Sequence, residues 1–288
     1  MSYSLRIGGI CLAVDGAPAP RGPLAKFVVA DCAPDVKVRL RRDGARPAGE
    51  LAGPPLFDSG AVWKRFDDRI ECYSQLFGEQ PYKTAILSPD LSEVEIVMRV
   101  EGLEPLEFPL DELLINALLT ERFGVELHAC GVIDRGNGLL FLGNSGDGKT
   151  TTARLWMSAG APALGRAPGA GAPTLVSDDR VIVRAENGEW TMYGTPWHGE
   201  AEICSPASAP LRRIYVLDKA ARNSAAPLCG AEAVARLFAC AFPPFHAARG
   251  IDGLLGTLSD LVADVPVARL SFVNDASAVA FVREEAAA

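Results

Sequence analysis

Histidine is scarce in this sequence, with three in 288 residues, and no two of the seven cysteines are spaced as C-x-x-C. That spacing removes the usual basis for a zinc site, and the odd count does not make a disulfide framework. Reduced, mostly buried thiols are the expected state. No long block of one charge sign occurs; with 22% charged and 49% hydrophobic residues, this excludes wholesale disorder and allows a full core. A formal net charge of −8 argues against broad binding to nucleic acid or to an anionic membrane. No apolar run approaches the ~20 residues of a membrane-spanning helix. The start MSYSLRIGGICLAVDGAP lacks the basic residues and unbroken apolar stretch of a signal peptide. The expectation is a cytoplasmic protein with neither a nucleic-acid nor a membrane partner; a homo-oligomer is left open.

Short strand-like pieces come first: Leu5 to Val14, Phe27 to Val29, and Val36 to Leu40 with Val36, Val38 and Leu40 in period two. The turn-rich stretch RRDGARPAGELAGPP reads as a surface loop. Trp63 to Cys72 follows, then Thr84 to Leu87 and Val94 to Val100, which suit paired strands joined by SPDLSE. Residues 1–105 therefore read as a small strand-rich domain without a catalytic motif. From Leu110 to Leu118 apolar residues recur at helical spacing, and a strand-like Val125 to Ile133, a turn at DRGNG and the apolar run Leu139 to Leu142 come next. A helix over Lys149 to about Ser158 and a flexible connector over 160–174 are expected. Leu175-Val176, Val181 to Arg184, Trp190 to Tyr193, Leu211 to Leu217, Val267 to Phe272 and Val279 to Val282 read as strands, Ala231 to Ala241 and Ile251 to Ala263 as helices. This alternation predicts an α/β domain over 106–288.

The run Gly143-Asn144-Ser145-Gly146-Asp147-Gly148-Lys149-Thr150, followed by Thr151, fits G-x-x-x-x-G-K-[ST] at every fixed position. It also lies between a predicted strand and a predicted helix, as phosphate binding requires. Glycines let backbone N–H groups turn inward around phosphate oxygens, and the helix N-terminus adds partial positive charge. Lys149 is expected to reach the β- and γ-phosphates of a nucleotide, and the Thr150 hydroxyl to ligate Mg²⁺.

A phosphate cradle does not choose among kinase, ATPase and GTPase. Ser177-Asp178-Asp179-Arg180 follows the apolar Leu175-Val176, which places two carboxylates at a strand end. One suits Mg²⁺; the other suits accepting a proton from a hydroxyl nucleophile, since adjacent carboxylates raise one pKa. An Asx-rich turn between strands is the plainer alternative. His128 lies on the strand before the P-loop strand, where its imidazole reaches either the catalytic carboxylate, the transferred phosphoryl group, or a structural partner. His198 and Glu200 fall in YGTPWHGE, a shaped active-site loop with Glu200 as a second Mg²⁺ contact, or a packed turn anchored by Trp197. Arg180 suits a phosphate contact or a structural ion pair. His246, in FPPFH, reads as a loop or interface residue.

With these residues in place, the chain resembles the bacterial HPr kinase/phosphorylase-related proteins, whose P-loop domain is similar to that of ATP-dependent phosphoenolpyruvate carboxykinase. The resemblance rests on His128, its spacing to the P-loop, and Leu175-Val176-Ser177-Asp178-Asp179 downstream. PLDELLINALLTERFGVELHACGV, TTTARLW and YGTPWHGE resemble HPr-kinase-like proteins of peptide-modification gene clusters, over about 60% of the chain. The resemblance implies a mixed-sheet P-loop domain that uses ATP and Mg²⁺ to phosphorylate a serine of a peptide or small protein. It implies His128 and Asp178 as the proton-transfer pair and Asp179 as a metal or nucleotide-positioning residue. Thr150 becomes the magnesium ligand and Glu200 the second acidic contact. No counterpart of the family's glycine-rich signature after the aspartates is present, so dephosphorylation and HPr itself as substrate are not implied. The lysine and histidine set of the carboxykinases is also not visible. Two rival readings stand beside the peptide kinase: a small-molecule kinase or carboxykinase-like enzyme, and a nucleotide-binding regulatory protein without turnover.

Overall fold

A computed structural model describes residues 1–41, 54–60, 62–144, 146–160, 172–243 and 250–286. The chain divides into two compact units, one over Met1–Leu118 and one over Leu119–Pro244 and Arg249–Ala288. Most of the RRDGARPAGELAGPP loop, most of the 160–174 connector, Ser145 and His246 lie outside the described residues.

The first unit is built on a nine-stranded mixed sheet. Its strands are β1 (Ser2–Ile7), β2 (Ile10–Asp15), β3 (Val28–Val29), β4 (Val36–Arg41), β5 (Phe57–Asp58), β6 (Trp63–Arg65), β7 (Arg69–Cys72), β8 (Lys83–Leu87) and β9 (Glu93–Met98). They lie in the order β3-β1-β2-β4-β9-β8-β7-β6-β5. Alternation dictates which side is core: Val36 and Val38 are buried while Lys37 and Arg39 between and after them are exposed. β8 and β9 pair antiparallel, as their patterns suggest. The stretch read as one piece from Leu5 to Val14 is instead a hairpin, because Gly8 (φ 58°) and Gly9 (φ 76°) both take the left-handed conformation of a two-residue turn.

Cys11 and Cys32 are joined by a disulfide, which corrects the expectation that all seven cysteines are reduced thiols. An odd total conceals a single bridge, and nothing in the spacing marks these two. Cys72, Cys130 and Cys240 are buried free thiols and Cys229 is an exposed one. The bridge closes a loop of 21 residues' separation, a constraint on the unfolded chain worth about 3 kcal/mol. Cys11→Ser is therefore expected to lower the melting temperature of this unit by on the order of 10 °C. Scanning calorimetry with and without reductant checks it: reductant should reproduce the loss in wild type and add nothing to the variant.

Helix α1 (Leu110–Glu121) lies where the first unit ends along the chain. The second unit contains β10 (Gly124–Asp134), β11 (Asn137–Leu142), α2 (Lys149–Ser158), β12 (Thr174–Ser177), β13 (Arg180–Glu186), β14 (Glu189–Gly194), β15 (Ser208–Lys219), β16 (Ser224–Leu228), α3 (Gly230–Ala239), α4 (Gly250–Asp264), β17 (Val267–Phe272) and α5 (Ser277–Glu285). Its sheet is mixed and runs β11-β10-β13-β14-β15-β17-β16, with β12 also on β10. β15 pairs antiparallel with β14 at its start and parallel with β11 and β17 beyond, so the ladder returns to β11.

Period-two alternation gives this sheet two apolar faces. Leu127, Leu140 and Ile214 pack with Leu237 of α3 and Leu254, Leu258 and Leu261 of α4. Val132, Phe141, Tyr215 and Leu270 pack with Ala153 and Trp156 of α2 and with Val279 and Val282 of α5. Each fully buried Leu or Phe contributes roughly 1.5–3 kcal/mol. The expectation of a strand over Val279 to Val282 is overturned. Ala278, Val279 and Val282 are the buried stripe of α5, and tertiary packing overrides the β-branched preference of a short valine-rich run. Among the described residues no helix is long and apolar enough to cross a membrane.

Candidate active site

The buried run Leu139 to Leu142 carries β11 into the interior and releases the chain at Gly143. Gly146 (φ 91°) and Gly148 (φ 117°) then adopt backbone that other residues reach only with strain. A Cβ on Gly148 would also lie 2.7 Å from Phe272 Cζ at the end of β17, so glycine alone lets α2 start here. The Asn144 N–H donates to Asp147 Oδ2 at 2.6 Å, and the Asp147 N–H to Asn144 O at 3.2 Å, closing the turn. Lys149 is 7% exposed and folds back over the loop, its Nζ donating to Gly143 O at 2.7 Å and to Asn144 O at 3.1 Å. Burial pulls the Lys149 ammonium below its ordinary pKa, and the Asp179 carboxylate leads the opposing influences. Thr150 and Thr151 are half-buried in the first turn of α2, whose leading N–H groups lack intrahelical partners and favour an anion.

The two aspartates interrupt what is otherwise one pass along β10, with Ser177 opposite Gly131 before them and Arg180 opposite His128 after them. They part in direction. Asp178, 3% exposed, accepts from the Gly199 and Ile203 N–H groups at 3.1 and 3.2 Å on Oδ1 and from Ala201 N–H at 2.8 Å on Oδ2. Three amides of the 199–203 stretch thus tie the loop carrying His198 and Glu200 to this one carboxylate. Asp179 is half-buried, and His128 Nε2 donates to its Oδ1 at 2.8 Å. The expected His128–Asp178 pair is therefore a His128–Asp179 pair: at the bend between β12 and β13, Asp178 turns to the three loop amides and Asp179 to His128. The His128 hydrogen bond, foremost, holds the Asp179 carboxyl below the usual range; Arg180 and Lys149 act in the same sense and burial opposes them.

The loop residues expected to contribute lie at the rim. His198 and Glu200 are exposed, and His198 Nδ1 is 3.0 Å from Gly199 O. Trp197 is buried, and Thr195 Oγ1 donates to Arg180 O at 2.7 Å and to Trp197 O at 3.1 Å, fixing the loop's approach.

Sequence reasoning missed the opposite wall. β11 accompanies β10 only as far as Ala129, where Leu142 is its partner. Beyond that point the chain leaving α3 takes over the edge. His128 N–H donates to Cys240 O at 2.7 Å and Phe242 N–H to Glu126 O at 3.0 Å, with a bridge between Leu127 and Ala241. Burial pushes the Cys240 thiol up, while neighbouring Lys149 pulls it down, which sets this cysteine against the P-loop. Arg180 pairs with Asp179 Oδ2 at 3.3 Å and Glu126 Oε1 at 3.5 Å, its guanidinium 4.3 Å from the Phe242 ring centre. The only advance signal of this wall was the apolar-polar alternation that puts Glu126 and His128 on one side of β10.

Among the described residues no group of three or more His, Cys, Asp or Glu side chains is placed to hold a metal ion. Mg²⁺ on a nucleotide needs no such cage, since it keeps several waters and takes phosphate oxygens with one or two protein ligands. Thr150 supplies a hydroxyl of the kind that demand calls for, while both Asp179 oxygens are already met by His128 and Arg180; the positive-φ glycines, Lys149 and the α2 N-terminus fit a polyphosphate.

Neither a family model nor a curated protein matches the sequence. Among solved structures, the Hpr(Ser) kinase/phosphatase from Coxiella burnetii aligns over 56% of this chain and 89% of that one, at 10% identity and a TM-score of 0.30. A likeness that slight carries no argument about this chain.

Proposed function

We propose that this chain is a Mg-ATP-dependent kinase of the HPr-kinase-like type, transferring the γ-phosphoryl group to a serine hydroxyl of a peptide or small protein. Residues 1–105 would offer substrate contact and 106–288 the kinase domain. One observation carries the reading: His128 and the P-loop Lys149 both act on Asp179, so a phosphate cradle and an ionised carboxylate occupy one site.

Loop amides and Lys149 grip the triphosphate, and Thr150 would hold Mg²⁺ together with phosphate oxygens and water. When bound, the ion neutralises charge on the β- and γ-phosphate oxygens. The acceptor hydroxyl oxygen bonds to the γ-phosphorus as the bond from phosphorus to the β-bridging oxygen breaks, and ADP departs with that electron pair. The hydroxyl proton passes to Asp179. A carboxylate of depressed pKa is a weak base, yet adequate, because a loose transition state asks little nucleophilicity of the hydroxyl. Asp178 shapes the loop across the site.

The test is incubation with Mg-ATP and a library of serine-containing peptides, following ADP release and the mass of the peptides. ADP formed together with phosphoserine is expected. Phosphorylation confined to small metabolites would favour the small-molecule kinase, and ATP binding without ADP under any condition would mark a regulatory protein.

A further inference from the structure

Arg180 stands beside the aspartates and is the obvious arginine to reach for a phosphate, but its partners leave it a different task. Glu126 is 1% exposed on β10, and a buried carboxylate is costly unless a cation answers it. Arg180 NH1 lies 3.5 Å from that carboxylate while Nε lies 3.3 Å from Asp179 Oδ2. The guanidinium carbon lies over the Phe242 ring, 4.3 Å from its centre, and the Phe242 N–H is bonded to the Glu126 carbonyl. Both oxygens of Asp179 are thereby engaged, Oδ2 by Arg180 and Oδ1 by His128. That fixes the plane of the carboxylate.

We propose that Arg180 is a positioning residue and not a phosphate ligand: clamped by Glu126 and Phe242, it sets the orientation of Asp179 for proton acceptance. The inference deepens the kinase reading and rests on it for its catalytic meaning. A planar, forked cation serves two carboxylates while sitting over a ring, which a point-charge ammonium does not. Lysine at 180 would keep the charge and lose the geometry. Phe242→Leu would keep the bulk and lose the electrostatic attraction of the ring face for the cation.

The experiment measures ATP affinity by titration calorimetry and the rate of ADP formation for wild type, Arg180→Lys and Phe242→Leu. The clamp requires kcat to fall roughly 10- to 100-fold in Arg180→Lys and less in Phe242→Leu, with ATP affinity kept within about twofold. A tenfold or greater loss of ATP affinity in Arg180→Lys would make Arg180 a phosphate ligand and overturn the proposal; so would an unaltered kcat. A second arm needs no turnover. In a cycle of Arg180→Met, Asp179→Asn and the double variant, the melting-temperature losses must be non-additive, and strict additivity overturns the clamp. Failure of the kinase reading shows separately, as wild-type protein that binds no ATP or forms no ADP.

Discussion

Lys149→Ala is expected to weaken ATP binding at least 100-fold, to the point that titration calorimetry at micromolar protein registers little heat. The ammonium is almost fully buried and already makes two hydrogen bonds, to Gly143 O and Asn144 O. In the proposed kinase it exchanges those carbonyls for phosphate oxygens, to which charged hydrogen bonds contribute roughly 1.5–3 kcal/mol each. Two of them correspond to a loss of about 3–6 kcal/mol, or at least two orders of magnitude in affinity. Truncation also strips two carbonyls of their donor and loosens the loop that presents the amides. Unchanged ATP affinity in a folded variant would remove Gly143 to Thr150 as the phosphate site.

The second large effect separates the two aspartates. Asp179→Asn should cut phosphoryl transfer by roughly 10²–10⁴-fold with ATP affinity little changed, because in the proposed mechanism it removes the proton acceptor beside His128. Asp178→Asn should behave as a stability variant. An amide there must point an N–H₂ at one of the three backbone donors it now satisfies, leaving a buried N–H unpaired at a cost of about 2–3 kcal/mol. For a unit of this size that is a fall of roughly 4–12 °C in melting temperature. Rate assays and thermal melts on both variants decide the matter. A stable Asp178→Asn enzyme without activity, beside an active Asp179→Asn enzyme, would return the base to Asp178.

The contrast shows where sequence reasoning stops. The strand, glycine-rich loop and helix from Leu139 to Ser158 were readable because each residue's role there is local: an apolar run, positive-φ glycines, a helix start. The aspartate pair was readable as a pair, but which one meets His128 depends on the bend between β12 and β13, held where both strands pair with β10. Glu126, Cys240 and Phe242 carried no motif; they reach the site through a ladder between segments more than a hundred residues apart. Gly8-Gly9 was a turn signal overlooked within an apolar run, and Val279 to Val282 was too short for its period to tell helix from strand. The Cys11–Cys32 bridge needed the fold of the first unit to bring its partners together.

The takeover of the β10 edge by the chain leaving α3 also has a temporal meaning. A nascent chain that has emerged only as far as the aspartates contains His128, the P-loop and both carboxylates, yet lacks the segment that receives the His128 N–H. Pairing of such distant segments is a late, slow event in folding. Nucleotide should therefore find its complete pocket only on the finished molecule, and act afterwards as a stabiliser by mass action without templating the fold.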